Sequence, residues 1–256
     1  MSVFYASQNM PEDDSSSSGG TINSGIRIDM ANLDAPTTIT AFSNTRSDIN
    51  TVSVYGRNTA GATISETINV SGTGTSDPGS TTFSGIFKAT LAHATGYGRI
   101  TVSGTSQNVL GIIPAAESGF RAPFYKATAS AGSSKDFYEK IFVKNTSGST
   151  TIYSSKIIEI ADTGLSSQIT FAIEEGRASP APFAHSGIGV TGEVTNRLTV
   201  PSSYIDHFGS GTSGIWPSGS GNLDPTSYQG VWLKLSLDAG EGALNSFYEI
   251  QQSGRS

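Results

Sequence analysis

Short runs of alternating apolar and polar residues recur along this chain, with turn residues between them. The clearest runs are Val52–Arg57 and Thr63–Val70, on either side of the Gly-containing stretch Asn58–Gly61. A period of two places the apolar side chains on one face of a β-strand, and two such runs around a short turn predict a β-hairpin. Glu66 falls on the apolar face of this hairpin, so it must either find a partner, for which Arg57 is one candidate, or lie at the solvated edge of that face.

The remainder of the chain supports an all-β fold. It contains 30 Gly and 10 Pro in 256 residues, and only 14% of its residues are charged, against ~25% in an average soluble domain. No long window shows the period of an amphipathic helix. Frequent turn residues between short strands are typical of sandwiches and barrels. The sequence therefore predicts an all-β protein with two β-sandwich or barrel-like domains and long Gly/Ser-rich loops.

The expected organisation has three parts, which are a flexible N-terminal arm over residues 1–21, an N-terminal β domain over 22–113 and a C-terminal β domain over 114–256. The arm ends in the polar stretch Pro11–Gly20, which cannot bury enough apolar surface to order itself. Phe4 and Tyr5 give such an arm side chains to bury against a neighbouring subunit. We place the domain boundary where Pro114 ends the apolar run Val109–Ile113.

Two further strand pairings follow from the same alternation. Thr82–Leu91 and Gly98–Val102 are expected to form a second hairpin, and Val231–Leu237 is expected to pair with Asn245–Gln251. Trp232 lies in the middle of an alternating strand, so packing in the core or on a sheet face is its simplest interpretation.

The region 176–225 is rich in Gly, Ser and Pro, and loops of this length in a compact domain are usually functional or interface-forming. Its aromatic residues Tyr204 and Trp216 are compatible with sugar stacking, but large amphipathic rings serve equally well as anchors between subunits. We therefore interpret Phe4, Tyr5, Tyr204 and Trp216 as candidate subunit-interface residues.

Charge and composition exclude several partners. The net charge is −6, and the 15 Lys and Arg form no run, whereas nucleic-acid binders present a basic face. The chain has no Cys, so disulfides and thiolate metal sites are excluded. No stretch reaches the ~20 apolar residues of a membrane span, and the start lacks the pattern of a signal peptide. We expect no nucleic-acid partner, no membrane partner, and synthesis in the cytoplasm.

No arrangement of residues predicts catalysis or a cofactor. The three His are isolated, without the spacing of metal ligands, and no Gly-x-Ser-x-Gly nucleophile elbow occurs. The carboxylates considered for paired acid–base chemistry are Glu117, Glu139, Glu159, Glu174, Glu175, Glu193 and Glu241, and no pattern distinguishes any of them. We therefore expect a protein that is not an enzyme, with no catalytic, cofactor-binding or metal-binding residues.

Several segments are similar to a known group of proteins. They are Asp48–Gly61, Ile64–Ile68 and Thr82–Lys88 in the first half, and Phe124–Tyr125, Tyr138–Thr146, Gln229–Leu237 and Phe247–Gly254 in the second. In this pattern the chain resembles uncharacterised virion structural proteins of tailed bacteriophages, which are often encoded near the major capsid protein. The likeness covers most of residues 40–254, and it consists of strand and turn patterns with no catalytic motif.

The resemblance implies a non-enzymatic protein that decorates or cements the assembled phage head. Its partners would be the major capsid protein and further copies of itself, as a homo-oligomer such as a trimer, and its location would be the virion capsid. Two alternatives stay open at this point. One is a structural or adaptor protein of the tail, neck or baseplate, and the other is a surface carbohydrate-binding module.

Overall fold

The computed structural model describes residues 2–31, 33–93, 97–105, 109–124, 127, 129, 132–162, 169–174, 192–204, 222–240 and 248–255. All regular secondary structure in these ranges is β-strand, which confirms the all-β prediction. The strands are β1 (Ser2–Asn9), β2 (Ser17–Arg27), β3 (Ile39–Ser43), β4 (Ile49–Arg57), β5 (Thr63–Ser71), β6 (Gly85–Leu91), β7 (Ile100–Gly104), β8 (Val109–Ile113), β9 (Gly119–Arg121), β10 (Lys135–Asn145), β11 (Tyr153–Asp162), β12 (Ile169–Ile173), β13 (Val194–Asn196), β14 (Tyr228–Leu237) and β15 (Tyr248–Arg255).

The chain divides into two compact units. The first comprises Met1–Asn23 together with Phe124–Ser256, and the second comprises Ser24–Pro123. In the first unit the strand order is β12-β14-β10-β1-β2, with β13 paired to β2. β10 pairs antiparallel with β14 along Lys135–Lys144, and β1 covers the other edge of β10 near its end. β11 and β15 form a separate two-stranded sheet.

The N-terminal residues correct the expectation of a flexible arm over residues 1–21. β1 pairs with β10 from Ser2 opposite Asn145 to Ala6 opposite Ile141, and Tyr5 is only 5% exposed. The polar composition of Pro11–Gly20 shows that this segment cannot order itself. Composition carries no information about a partner, and here the open edge of β10 supplies hydrogen bonds and apolar neighbours to the N-terminal residues.

The second unit contains the hairpin that the sequence predicts. β4 and β5 pair antiparallel, with Val52 opposite Ile68, and they continue through β6 and β9 to the end of β2. β3, β7 and β8 form a second sheet. One apolar core is built from both sheets, and its buried members are Ile39, Ala41, Val52, Val54, Ile68, Val70, Phe83, Ile86, Ala89, Ile100, Val102, Leu110, Ile113 and Phe120.

The other predicted pairings are wrong. β6 pairs with β4 and β9, whereas β7 pairs with β3 and β8, so the two do not form a hairpin. β14 pairs with β10 and β12, and β15 pairs with β11. The division after Pro123 also differs from the expected boundary after Ile113, because Phe120 of β9 is fully buried in the core of the second unit. Alternation locates a strand but does not identify its partner.

Candidate functional site

The most unusual feature of the described residues is a set of buried charges around β10. Glu139 and Lys140 are adjacent on this strand, and both side chains are completely buried. Neighbouring residues on a strand point to opposite faces, so β10 carries one buried charge on each face. Burial of a charge is costly unless it is paired and hydrogen-bonded. On each face of β10, the buried charge is paired with a different side chain of opposite charge.

On one face, Lys140 lies in an aromatic box with Glu174. Its Nζ is 2.5 Å from Oε1 of Glu174 and donates a hydrogen bond to the Gly20 carbonyl at 3.0 Å. The same Nζ lies 5.0 Å from the ring centroid of Phe142 and 5.5 Å from that of Trp232. Burial lowers the pKa of Lys140 below its ordinary value, although the Glu174 carboxylate opposes the shift.

Glycines form the walls of this box because a larger residue would collide with its contents. A Cβ on Gly230 would lie 2.2 Å from Oε2 of Glu174, and a Cβ on Gly19 would lie 2.8 Å from the Trp232 ring. Gly19 and Gly20 also have positive φ values of 100° and 89°, which side chains disfavour. The Ser- and Gly-rich stretch at the start of β2 therefore supplies the backbone wall of the box.

On the opposite face, Glu139 pairs with Arg197. The Arg197 Nη2 lies 2.9 Å from Oε1 of Glu139, and both side chains are fully buried. The backbone N–H of Phe124 donates to Oε2 of Glu139 at 2.8 Å. The guanidinium sits 4.9 Å from the ring centroid of Phe137, and its Nη1 lies 3.8 Å from Oδ1 of the partly exposed Asp14. The pair is thus linked to β10, β13 and the segment before β2.

A second carboxylate, Glu193, fixes the far side of the aromatic box. It accepts hydrogen bonds from the backbone N–H and hydroxyl groups of both Ser202 and Ser203. Burial raises the pKa of Glu193, but these donors outweigh burial and hold the pKa below its usual range. The Ser203 hydroxyl in turn accepts from the indole N–H of Trp232 at 2.8 Å. Trp232 is completely buried, which confirms its interpretation as a packing residue.

The candidate interface residues have different positions. Tyr5 is buried beside β10, with Nζ of Lys144 5.8 Å from its ring centroid, whereas Phe4 is partly exposed. Tyr204 is partly buried, with its hydroxyl 2.7 Å from that of Thr170, and burial raises its pKa to about 12. Trp216 lies outside the described residues. Tyr5 and Tyr204 therefore make contacts within the first unit, and an interface role for the four residues stays a prediction.

The expected partner of Glu66 is wrong. Its Oε1 accepts from the backbone N–H of Ser80 at 2.6 Å, and the N–H of Thr81 lies within hydrogen-bonding distance of both carboxylate oxygens. The guanidinium of Arg57 lies instead 5.4 Å from the ring centroid of Phe87. Glu66 therefore fixes the loop after β5, because a carboxylate is a strong acceptor for backbone N–H groups.

Within the described ranges, no group of three or more His, Asp and Glu side chains is arranged to hold a metal ion. His93 lies there, and its carbonyl accepts from the Asn50 side chain, while His185 and His207 lie outside these ranges. The same part of the chain contains no helix long and apolar enough to cross a membrane.

One feature of the sequence indicates that two charges are buried, although no pattern in the sequence identifies their partners. Glu139 and Lys140 stand within Phe137–Val143, where apolar residues occupy both faces of the strand, so the two charges must be buried with it. Their partners Glu174 and Arg197 lie far along the chain, and no spacing rule connects them to β10. Glu174 and Glu193 were indistinguishable from the other carboxylates in the sequence.

No protein-family model, no curated protein and no solved structure matches this chain.

Proposed function

We propose that this chain is a non-enzymatic structural protein of a tailed-bacteriophage virion, and that it binds the assembled head as a decoration or cement protein. The resemblance over the β4–β5 hairpin and the β10 and β14 segments supports the virion assignment. The observation that carries the structural role is the use of buried charge on β10. Both Glu139 and Lys140 are committed to ion pairs that hold strands and loops together.

Such pairs favour a scaffold with one fixed arrangement. Any displacement of Arg197 or Glu174 would leave a buried charge without its counter-ion, which is strongly destabilising. A protein that joins capsid subunits must keep its shape under load, and this energetic penalty opposes deformation. We also propose that both units are β-sandwich or barrel-like domains with Gly/Ser-rich loops. The single core shared by the two sheets of the second unit supports this architecture.

Exposed apolar side chains offer a contact surface for the proposed partners. Val194, Leu198 and Val200 are all exposed, and they lie on β13 and the turn that follows it. These three residues fall within the short segment Val194–Val200, and clustered exposed apolar side chains are typical of binding surfaces. We assign this surface to contact with the major capsid protein or with another copy of the chain.

Immunogold labelling of whole phage particles tests the assignment to the head. An antibody against the purified protein should label heads, and labelling should disappear when the antibody is first absorbed with that protein. Gold at the tail, neck or baseplate would overturn the head assignment in favour of an adaptor role. Absence of label on particles that contain the protein's gene would overturn the virion assignment.

A heating or low-salt challenge tests the cementing role. Heads that lack the protein should release DNA sooner, and added purified protein should restore their survival. Val200→Asp should weaken this rescue, whereas Ile49→Asp, which changes an exposed apolar residue of the second unit, serves as the matched control. Equal survival with and without the protein would refute cementing. Glycan binding that is lost in Trp216→Ala would instead favour a carbohydrate-binding module.

A further inference from the structure

We propose that Lys140 and Glu174 form an intramolecular amide bond, so that this pair is a site of covalent self-modification. The proposal starts from the geometry of the aromatic box. Nζ of Lys140 and Oε1 of Glu174 are 2.5 Å apart, and both side chains are inaccessible to solvent. An amine and a carboxyl group held in contact without bulk water are the two reactants of an amide condensation.

The surroundings of the pair lower the cost of reaching its neutral, reactive form from the ion pair. Phe142 and Trp232 flank the amine, and an apolar environment disfavours separated charges. Burial lowers the pKa of Lys140, which makes the uncharged amine more accessible. Transfer of one proton from Nζ to Oε1 across the existing hydrogen bond converts the ion pair into a neutral amine and a carboxylic acid.

The condensation then balances without any outside reagent. The lone pair of the neutral Nζ attacks Cδ of Glu174, and a C–N bond forms. A second proton moves from the nitrogen to the departing carboxyl oxygen, the C–O bond breaks, and one water molecule leaves. The N–H that remains in the amide donates a hydrogen bond to the Gly20 carbonyl, which already accepts one from Nζ at 3.0 Å.

The backbone around Glu174 holds the carboxyl group at the amine. The Glu174 N–H donates to the Gly230 carbonyl at 2.9 Å, and the Gln229 side chain donates to the Glu174 carbonyl at 2.7 Å. The missing side chain at Gly230 leaves the space that the carboxylate occupies. Reactants fixed in this way reach effective concentrations on the order of 10⁵ M and above, which compensates for the low reactivity of a carboxylic acid.

The opposite face of β10 provides an internal contrast. Glu139 is equally buried, but its partner Arg197 carries a guanidinium, whose delocalised nitrogens are poor nucleophiles compared with an amine. Only the lysine face can therefore condense. The resulting bond would connect β10 to the residue that follows β12 and would restrict the unfolded chain as a disulfide does. It does not depend on the proposed virion role.

Mass spectrometry of the denatured full-length protein tests the proposal directly. The expected mass is lower than the sequence mass by one water molecule, and proteolysis should yield a branched peptide in which fragmentation locates the link between Lys140 and Glu174. The full sequence mass in aged, folded protein would overturn the proposal. A water loss that fragmentation locates elsewhere in the chain would also overturn it.

Point variants test whether Lys140, and not another lysine, forms the link. Lys140→Arg and Glu174→Ala should both restore the lost water, whereas Lys144→Arg should retain the link because Lys144 lies beside Tyr5 and outside the box. If both box variants fail to fold, the mass and peptide map of the wild-type protein alone decide the question. The full sequence mass in Lys144→Arg, or a mass lower by one water molecule in Glu174→Ala, would contradict the assignment.

Discussion

Replacement of Arg197 by Met should destabilise the first unit much more than loss of an ion pair at the protein surface. Arg197 and Glu139 are 2.9 Å apart and fully buried. Breaking such a pair leaves the Glu139 carboxylate buried without its cation, which typically costs about 3–5 kcal/mol. Met retains an unbranched apolar chain in place of the Arg197 stem, so lost volume contributes little. Since domains are stable by only about 5–15 kcal/mol, this is a large share of the total.

A partly exposed ion pair between β10 and β14 provides the matched control for the buried pair. Lys234 of β14 and Asp136 of β10 form this ion pair at 2.9 Å, with side chains 27% and 44% exposed. Loss of an exposed pair costs about 0.2–1 kcal/mol, so Lys234→Met should have a small effect. The double variant Arg197→Met/Glu139→Leu removes both buried charges and should recover most of the lost stability, because no unpaired charge is left behind.

Urea unfolding followed by tryptophan fluorescence measures these differences. In a Trp216→Phe background the only remaining tryptophan is Trp232, which is completely buried in the first unit and should report its unfolding. The reasoning would be refuted by an Arg197→Met variant no less stable than Lys234→Met. A double variant less stable than Arg197→Met would refute the claim that buried charge causes the loss.

Three further outcomes are expected. Gly230→Ala should lower the free energy of unfolding, measured by calorimetry, by about 1–3 kcal/mol through overpacking against Glu174. Gly148→Ala should leave it unchanged, because a Cβ there meets nothing within 4 Å. Equal effects of the two substitutions would refute the packing argument. Deletion of residues 2–9 should expose the edge of β10 and cause aggregation in size-exclusion chromatography, whereas an elution profile identical to that of the full chain would refute the role of β1 in covering this edge. Burial raises the pKa of Tyr204 to about 12 from 10.0, so this tyrosine ionises at lower pH in the unfolded state and stability falls as pH rises above 10. Tyr204→Phe should make the unfolding midpoint fall less steeply over this pH range. The same pH dependence in both proteins would refute the role of Tyr204.

The local features of the fold could be predicted from the sequence. The β4–β5 hairpin follows from alternation around Asn58–Gly61, and the structure confirms its pairing. Trp232 was correctly interpreted because an aromatic residue in an alternating strand packs on a sheet face. These predictions depend on neighbours within a few residues, where chain geometry leaves few alternatives.

Long-range pairing could not be predicted in the same way. Residues 2–9 have no internal signal that they join β10, because the open edge that orders them is formed more than a hundred residues later in the chain. The partners of β6 and β7 were likewise wrong. Strand pairing is decided by which edges and apolar faces meet in the folded chain, and alternation is the same whichever partner is chosen.

The sequence by itself determined an all-β chain, a first hairpin, and two adjacent charges in a strand with apolar residues on both faces. Only the tertiary structure decided what those charges do. It brings Glu174 to Lys140 and Arg197 to Glu139 from distant loops, and it turns Gly19, Gly20 and Gly230 into the walls of an aromatic box. The physical reason is that a buried charge requires a partner at hydrogen-bonding distance, and that distance is set by folding and not by separation along the chain.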